Sequence, residues 1–263
     1  MSAMSGRGVS VTCAAPVNRT HPSGGGNTPG GVRNNARVSS SDRFRPPSGR
    51  PLGPTLLVLV AWLLAIGAVE VAVGWLITHP LKSTMTDENS INRWFVHQRT
   101  STLTHVADVG TLIGETVTGL VALALIALVF AVWQRSLWPA LFVLALDGGI
   151  GLFYLASTTL DPRNRPPVRI LQSGLVPDHS FPSGHTGTAT AIAGALAALL
   201  WVYTTLTRAV VGVLGVVPVW TMLARLYEGA HHLSDVLTAL VVTLVWLTVC
   251  ARLLLPARDG RPG

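Results

Sequence analysis

Six long runs of apolar residues between residues 54 and 255 set the strongest limit on what this chain can fold into. Each run is close to the ~20 residues that an α-helix needs to cross the ~30 Å hydrocarbon core of a bilayer. Backbone groups in lipid must be hydrogen-bonded within the spanning structure, and the runs are too long and continuous for the strands of a barrel. The six predicted transmembrane helices are Pro54–Ile77, Glu115–Trp133, Leu137–Thr158, His185–Thr205, Ala209–Arg225 and Ser234–Leu255.

The composition and the N-terminal segment fit the same interpretation. Charged residues make up only 12% of the chain, whereas soluble proteins carry about 25%. Residues 1–52 are rich in Gly, Pro, Ser and Arg with little to bury, so we expect a disordered basic tail that lacks the apolar stretch of a cleavable signal peptide. The chain is therefore predicted to be an all-α integral membrane bundle of six transmembrane helices at 53–256, followed by a short C-terminal tail at 257–263.

The six crossings place two polar loops on one face of the membrane. The loop between the third and fourth helices and the loop between the fifth and sixth helices must lie on the same side. A small excess of Lys and Arg on the opposite side predicts that both termini are cytoplasmic. We therefore expect a plasma-membrane protein with these two loops on the extracytoplasmic face, where Gln172 and Glu228 should be accessible.

The two polar loops carry groups that are suited to bind an anion. Arg163, Arg165 and Arg225 have planar, permanently charged guanidinium groups that match the geometry of phosphate oxygens. Ser183 and Gly184 directly precede the predicted fourth helix, whose free N–H groups and dipole favour a negative charge. These five residues are the candidate phosphate-binding residues.

Two histidines, one from each loop region, add the groups that phosphoryl transfer requires. The reaction needs charge stabilisation, a nucleophile and a proton for the leaving oxygen, and His185 and His231 supply the last two. Asp235 follows His231 by four residues, a spacing that lets its carboxylate reach the imidazole and fix its tautomer. No cluster of Asp, Glu or Cys suggests a metal site, so neither a metal nor another cofactor is predicted.

Three short motifs in these loops resemble those of the type 2 phosphatidic acid phosphatase superfamily. The segments "RNRPP", "FPSGHT" and "RLYEGAHHLSDV" are similar, in order and spacing, to the family patterns K-x6-R-P, P-S-G-H and S-R-x5-H-x3-D. The motif P-S-G-H alone is a weak signal, whereas three motifs in register on one face are a strong one. The resemblance covers about Leu137 to Leu255, and the six-helix arrangement extends it to all but the tail.

The resemblance implies a specific set of roles. It implies that His231 becomes phosphorylated, that Asp235 orients it, and that His185 is the general acid, without a metal. It further implies an activity on lipid phosphates, with a lipid substrate in the bilayer and no nucleic-acid partner. The residues that would hold the phosphoryl oxygens are Arg165, Ser183, Gly184, Arg225 and, as a frequent second arginine of the first motif, Arg163.

Two positions depart from the family patterns. Thr158 stands where the first motif has its lysine, and Ala224 stands where the third motif has a serine. The loss of a cation at a phosphate site would cost several kcal/mol of transition-state stabilisation unless another residue replaced it. For comparison, removal of one hydrogen-bond donor from an oxyanion hole costs ~3 kcal/mol. Lys82, Arg163 and Arg169 are the candidates for that replacement. The departure keeps open a second hypothesis, that the chain binds or transports lipid phosphates without hydrolysing them.

The sequence leaves the lipid substrate open. Phosphatidate, phosphatidylglycerol phosphate and polyprenyl phosphate or diphosphate all fit, whereas a halide peroxidase is disfavoured because that chemistry belongs to soluble relatives. Glu70 and Asp147 lie inside predicted crossings, where an ionisable residue is costly and often functional. A weaker apolar pattern at Leu103 to Leu112 predicts an interfacial helix before the second crossing.

Overall fold

The structure, a computed structural model, describes residues 49–85, 87–205 and 208–257. The predicted disorder of residues 1–52 falls almost wholly outside these ranges, and so does most of the predicted C-terminal tail. The described part contains helices and connecting loops and no β-strand. The helices are α1 Leu52–Thr78, α2 Lys82–Met85, α3 Glu88–His97, α4 Ser101–Gly114, α5 Thr116–Gln134, α6 Trp138–Leu160, α7 Gly184–Tyr203, α8 Arg208–Leu214, α9 Val216–Tyr227 and α10 Leu233–Leu254.

The prediction of six membrane-spanning segments is confirmed. α1, α5, α6, α7 and α10 and the combined segment Ala209–Tyr227 are each long and apolar enough to cross a bilayer. The fifth crossing is divided into α8 and α9 at Gly215. Pro218 explains the break, because proline lacks an N–H and its ring clashes with the carbonyl four residues earlier, here that of Leu214.

The outer surface of the bundle is apolar in the way that a lipid environment requires. Large hydrophobic side chains point outward on several crossings; Leu57, Val117 and Leu144 are 74%, 70% and 68% exposed. In water a continuous surface of this kind would drive association, whereas hydrocarbon chains solvate it without cost. The buried residues accordingly lie in the interior of the bundle, where the helices pack against one another.

The helical core lies between α6, α7 and α10. Trp246 of α10 is 2% exposed and packs into the gap left by Gly149 of α6. Its indole N–H lies 3.1 Å from the carbonyl oxygen of Ala145 and 3.2 Å from that of Leu146, so the buried polar group is satisfied. This contact fixes α6 against α10, whose first turn carries Asp235.

Short helices cover the end of the bundle at which the polar loops lie. The predicted segment Leu103 to Leu112 forms α4, which packs against α7 and α9 through the buried residues Gly110 and Gly114. The sequence analysis did not predict α2 and α3. α3 packs against α9 and α10 and buries Asn92 completely. The three sequence motifs therefore meet beneath a partial helical cover.

Candidate active site

The carboxylate of Asp235 joins the three motifs in the interior of the protein. Asp235 has no exposed surface. One carboxylate oxygen accepts a hydrogen bond from Arg163, and the other accepts from the Ser180 hydroxyl at 2.6 Å and from the His232 backbone N–H at 2.8 Å. The Ser183 N–H donates to the Asp235 carbonyl oxygen at 3.2 Å. Because all of these donors point at one residue, the loops are held in a single arrangement around it.

His231 is oriented by a backbone carbonyl. Its Nδ1 lies 2.7 Å from the carbonyl oxygen of Ser180, whereas the nearer Asp235 oxygen is 3.8 Å away. Nδ1 therefore carries the proton and donates to Ser180, which leaves the lone pair on Nε2. The Nη1 atom of Arg165 lies 3.4 Å from Nε2, and Asn92 donates to the His231 carbonyl oxygen at 2.9 Å.

This arrangement differs from the expectation that Asp235 would fix His231 directly. The carboxylate oxygens of Asp235 accept hydrogen bonds from other donors. The nearer oxygen lies 3.8 Å from Nδ1 of His231, which is too far for a hydrogen bond. Asp235 acts instead through Ser180, whose hydroxyl it holds and whose carbonyl oxygen accepts from His231.

The electrostatic environment keeps His231 neutral. Burial lowers the pKa of His231 from 6.5 to about 4, and the positive charges of Arg225 and Arg165 act in the same direction, while Asp235 opposes them. Desolvation disfavours the imidazolium because a charge is poorly stabilised in the interior. At pH 7 the imidazole is therefore unprotonated on Nε2, which is the state that a nucleophile requires.

A cavity of about 450 Å³ brings together four of the predicted site residues, namely Arg165, Gly184, His185 and His231. The guanidinium of Arg165 is fixed by three backbone carbonyls. Nε donates to Val176 at 2.8 Å, and the two Nη atoms donate to Ala230 at 2.7 Å and to His179 at 3.0 Å. Since these carbonyls carry no full negative charge, the positive charge of Arg165 is not neutralised and can act on a ligand in the cavity.

Arg225 has no exposed surface and does not line this cavity, and part of its guanidinium is unsatisfied. Its Nη1 donates to Glu228 and, at 3.2 Å, to Thr111. Its Nε and Nη2 atoms are buried and have no partner among the described residues, and the same is true of Nε2 of His185. An unpaired buried donor costs about 1–3 kcal/mol, more when it is charged. Arg225 is therefore left with donors for an anion.

The second motif forms the N-terminus of α7. The Ser183 hydroxyl accepts a hydrogen bond from the Thr186 N–H at 3.4 Å, so Ser183 caps the helix, and its own N–H is engaged by Asp235. The backbone N–H groups of Gly184 and His185 have no partner in the described part of the chain. These two amides and the helix dipole are thus available to an anion, whereas the Ser183 hydroxyl accepts from Thr186 and does not line the cavity.

Arg163 is placed differently from the prediction. It does not line the cavity; its side chain contacts the carboxylate of Asp235, the Ser234 hydroxyl at 2.7 Å and the Glu88 carboxylate at 3.4 Å. Two acidic groups compensate its charge, so it positions Asp235 and is not free to hold a phosphate. The same contacts exclude Arg163 as the replacement for the missing lysine.

The residue at the lysine position, Thr158, is buried away from the cavity. Its hydroxyl donates to the carbonyl oxygen of Tyr154 at 2.8 Å, within the last turns of α6. Lys82 and Arg169, the other proposed replacements, are exposed and do not line the cavity. Arg165 is the cation that the cavity wall contributes among the described residues.

Several residues that shape the site were missed from the sequence. Ser180 acts through its carbonyl and hydroxyl just ahead of the second motif, and Asn92 comes from the unpredicted α3. Glu228 was expected to be accessible, which is wrong, since it is 2% exposed and pairs with Arg225 and Thr111. Burial raises the pKa of Glu228, against the lowering effect of Arg225. The position of Glu228 inside the third motif was the signal in the sequence that it belongs to the site.

The part of the chain that carries the three motifs resembles a known family. Residues 136–259 match the family model described as PAP2 superfamily. The segment 136–259, which carries all three motifs, belongs to the PAP2 superfamily. A solved structure described as the first transmembrane PAP2-type phosphatidylglycerolphosphate phosphatase from Bacillus subtilis is 22% identical to this chain. The alignment covers 74% of this chain and 92% of that one with a TM-score of 0.59, so the two chains share a fold. No curated protein matches the chain.

The tautomer of His231 gives a direct test of the site. With ¹⁵N-labelled histidine, NMR in detergent should find His231 as the neutral Nδ1–H tautomer at pH 6, because its pKa is lowered to about 4 and protonation sets in only near that pH. The signal is assigned by its loss in His231→Gln. An imidazolium at pH 6, or a proton on Nε2, would contradict the described geometry.

Proposed function

We propose that this PAP2 protein is an integral-membrane phosphatase that hydrolyses a lipid phosphate through a phosphohistidine. The observation that carries the proposal is the cavity that joins His231, with its unprotonated Nε2, to His185 and Arg165 at the N-terminus of α7. The uncompensated charge and free amides favour a phosphoryl group at this point.

The reaction follows from the placement of these groups. Nε2 of His231 attacks the phosphorus and the bond from phosphorus to the lipid oxygen breaks. His185, which takes up a proton when the negative charge of the bound phosphate lies beside it, gives the leaving oxygen its proton. In the second step His185 takes a proton from water, the water oxygen attacks the phosphorus, and the bond to His231 breaks to release phosphate. Arg165, Arg225 and the amides of Gly184 and His185 stabilise the charge on the phosphoryl oxygens.

The shape of the cavity supports a lipid as the substrate. Its wall extends from His231 to Leu120 of α5 and Ile150 of α6, both inside membrane-spanning helices. Leu120 is 53% exposed on the lipid-facing surface, so the cavity continues toward the bilayer. A chain attached to the phosphate can remain in the hydrocarbon layer while the phosphate reaches the two histidines.

The missing lysine does not favour the alternative of a non-catalytic binder. Thr158 is enclosed by its own helix and leaves no open place at the cavity for a lost cation. Binding alone would not need His231 with its unprotonated Nε2, and it would not need the second histidine, His185. The pair of histidines therefore favours hydrolysis.

Phosphate release from lipid phosphates in detergent tests the proposal. The purified protein should release phosphate from at least one lipid phosphate in the presence of EDTA, because the proposed steps use only its own side chains. His231→Gln should lower kcat by at least about a thousandfold, since removal of a nucleophile leaves only positioning and charge stabilisation. The matched variant His232→Gln should retain most of the activity.

The outcome of the matched pair decides the assignment of the nucleophile. Equal loss in both histidine variants would point to a general disturbance of the loop. Loss in His232→Gln alone would contradict the role of His231. Complete dependence on an added metal ion would contradict the metal-independent reaction, whichever histidine mattered.

We further propose that the site lies on the extracytoplasmic face of the plasma membrane. The site face carries seven Lys and Arg residues, which weakened the charge argument from sequence. Other protein groups bind the guanidinium groups of four of these residues, namely Arg99, Arg163, Arg165 and Arg225. Arginines that are needed for structural contacts say little about topology. When they are left out, the excess of Lys and Arg on the opposite face favours cytoplasmic termini.

Cysteine labelling in intact cells tests this orientation. In a background without Cys13 and Cys250, Ser173→Cys on the site face should react with an impermeant maleimide added outside, and Arg135→Cys on the other face should not. Both positions are exposed. Glu228→Cys is a control for burial and should react slowly from either side. The opposite labelling of positions 173 and 135 would place the chemistry in the cytoplasm.

A further inference from the structure

Asp147 is an acidic residue inside the membrane-spanning part of α6 that lines the same cavity as the two histidines. It is one of three acids within the spanning segments. Glu70 accepts a hydrogen bond from Ser157 at 2.8 Å, and Asp235 is saturated by its donors. Asp147 makes neither a hydrogen bond nor an ion pair with any residue in the described ranges. An ionisable side chain at this depth is costly and needs a polar partner.

The depth of Asp147 can be read from the packing of α6 against α7. Ile150 packs on Gly187, which lies two residues further into the membrane than His185. Asp147 lies three residues beyond Ile150 in the same direction. At a rise of 1.5 Å per residue, Asp147 is therefore about 7–8 Å deeper than His185. A substrate whose phosphate meets His185 places the first part of its lipid moiety at this level.

The cavity wall next to Asp147 also leaves room for a branched group. Gly151, one turn from Asp147, lines the cavity, and a Cβ atom added there would meet no atom within 4 Å. The cavity wall is therefore open one turn above Asp147, between the level of His185 and that of the carboxyl group.

We propose that Asp147 is a specificity-determining residue that recognises the ester region of a glycerolipid phosphate. This inference rests on the proposed phosphatase function and narrows its substrate class. One ester group lies on the glycerol carbon next to the carbon that bears the phosphate, and the other lies on the carbon beyond it, so they reach the level of Asp147. A protonated carboxyl group donates a hydrogen bond to an ester carbonyl oxygen, and a water molecule can bridge the ester to either form of the carboxyl group. A polyprenyl chain is hydrocarbon from its first carbon and would leave Asp147 without a partner.

Three substrates and two variants test the role of Asp147. The substrates are a diacyl phosphatidate, its dialkyl ether analogue, which lacks the carbonyl groups, and a polyprenyl phosphate. For the wild type, kcat/KM should be about three- to tenfold higher for the ester than for the ether, which is the ratio that one net hydrogen bond supports. Asp147→Leu should reduce this ratio to about one. Asp147→Asn should retain part of it, because the amide keeps hydrogen-bonding groups.

The same comparison is made by binding to the His231→Gln variant, in which the Kd of each lipid is measured without turnover. An ester-to-ether ratio of one in the wild type, or an equal loss on both substrates in Asp147→Leu, would overturn the role of Asp147. Phosphate release without ester preference would contradict this inference alone. Ester preference in binding without release from any lipid would contradict the phosphatase proposal and retain Asp147.

Discussion

The buried carboxylate of Asp235 is the interaction on which the rest of the site depends. A carboxylate without solvent contact is stable only if hydrogen bonds and opposite charge replace its water. Arg163, Ser180 and the His232 N–H provide that replacement, and each belongs to a different part of the loop structure. The need to satisfy one buried charge thereby brings both ends of the loop between α6 and α7 to the start of α10.

The chemistry of the cavity follows from this convergence. Once Asp235 holds Ser180, the Ser180 carbonyl oxygen fixes the ring of His231 and its Nε2 lone pair faces Arg165. Arg225 is held separately. Its Nη1 atom donates a hydrogen bond to Glu228, and its Nε and Nη2 atoms have no partner among the described residues. Charges fixed before the substrate arrives need no reorganisation during the reaction, and the low dielectric of the interior strengthens them. The site is therefore preorganised for an anion whose charge develops beside His231.

The helical crossings and the position of the site could be predicted from the sequence, whereas the hydrogen bonds within the site could not. Hydropathy predicts a crossing such as α10 because lipid admits few alternatives, and the spacing of His231 and Asp235 identifies the third motif. The contact between His231 and Ser180 uses a backbone carbonyl, which no residue type encodes. The role of Arg163 was mistaken because charge alone does not tell whether a guanidinium faces a ligand or a buried carboxylate.

Covalent trapping on His231 tests the central claim most directly. With 4-nitrophenyl phosphate the leaving group needs no proton, so His185→Ala should form the intermediate but hydrolyse it slowly. Rapid mixing followed by an alkaline quench, in which phosphohistidine is stable, should give one equivalent of nitrophenol per protein and a phosphoryl group on the peptide that contains His231. The double variant with His231→Gln should give neither. Turnover without a burst, or a phosphoryl group on another residue, would contradict the account.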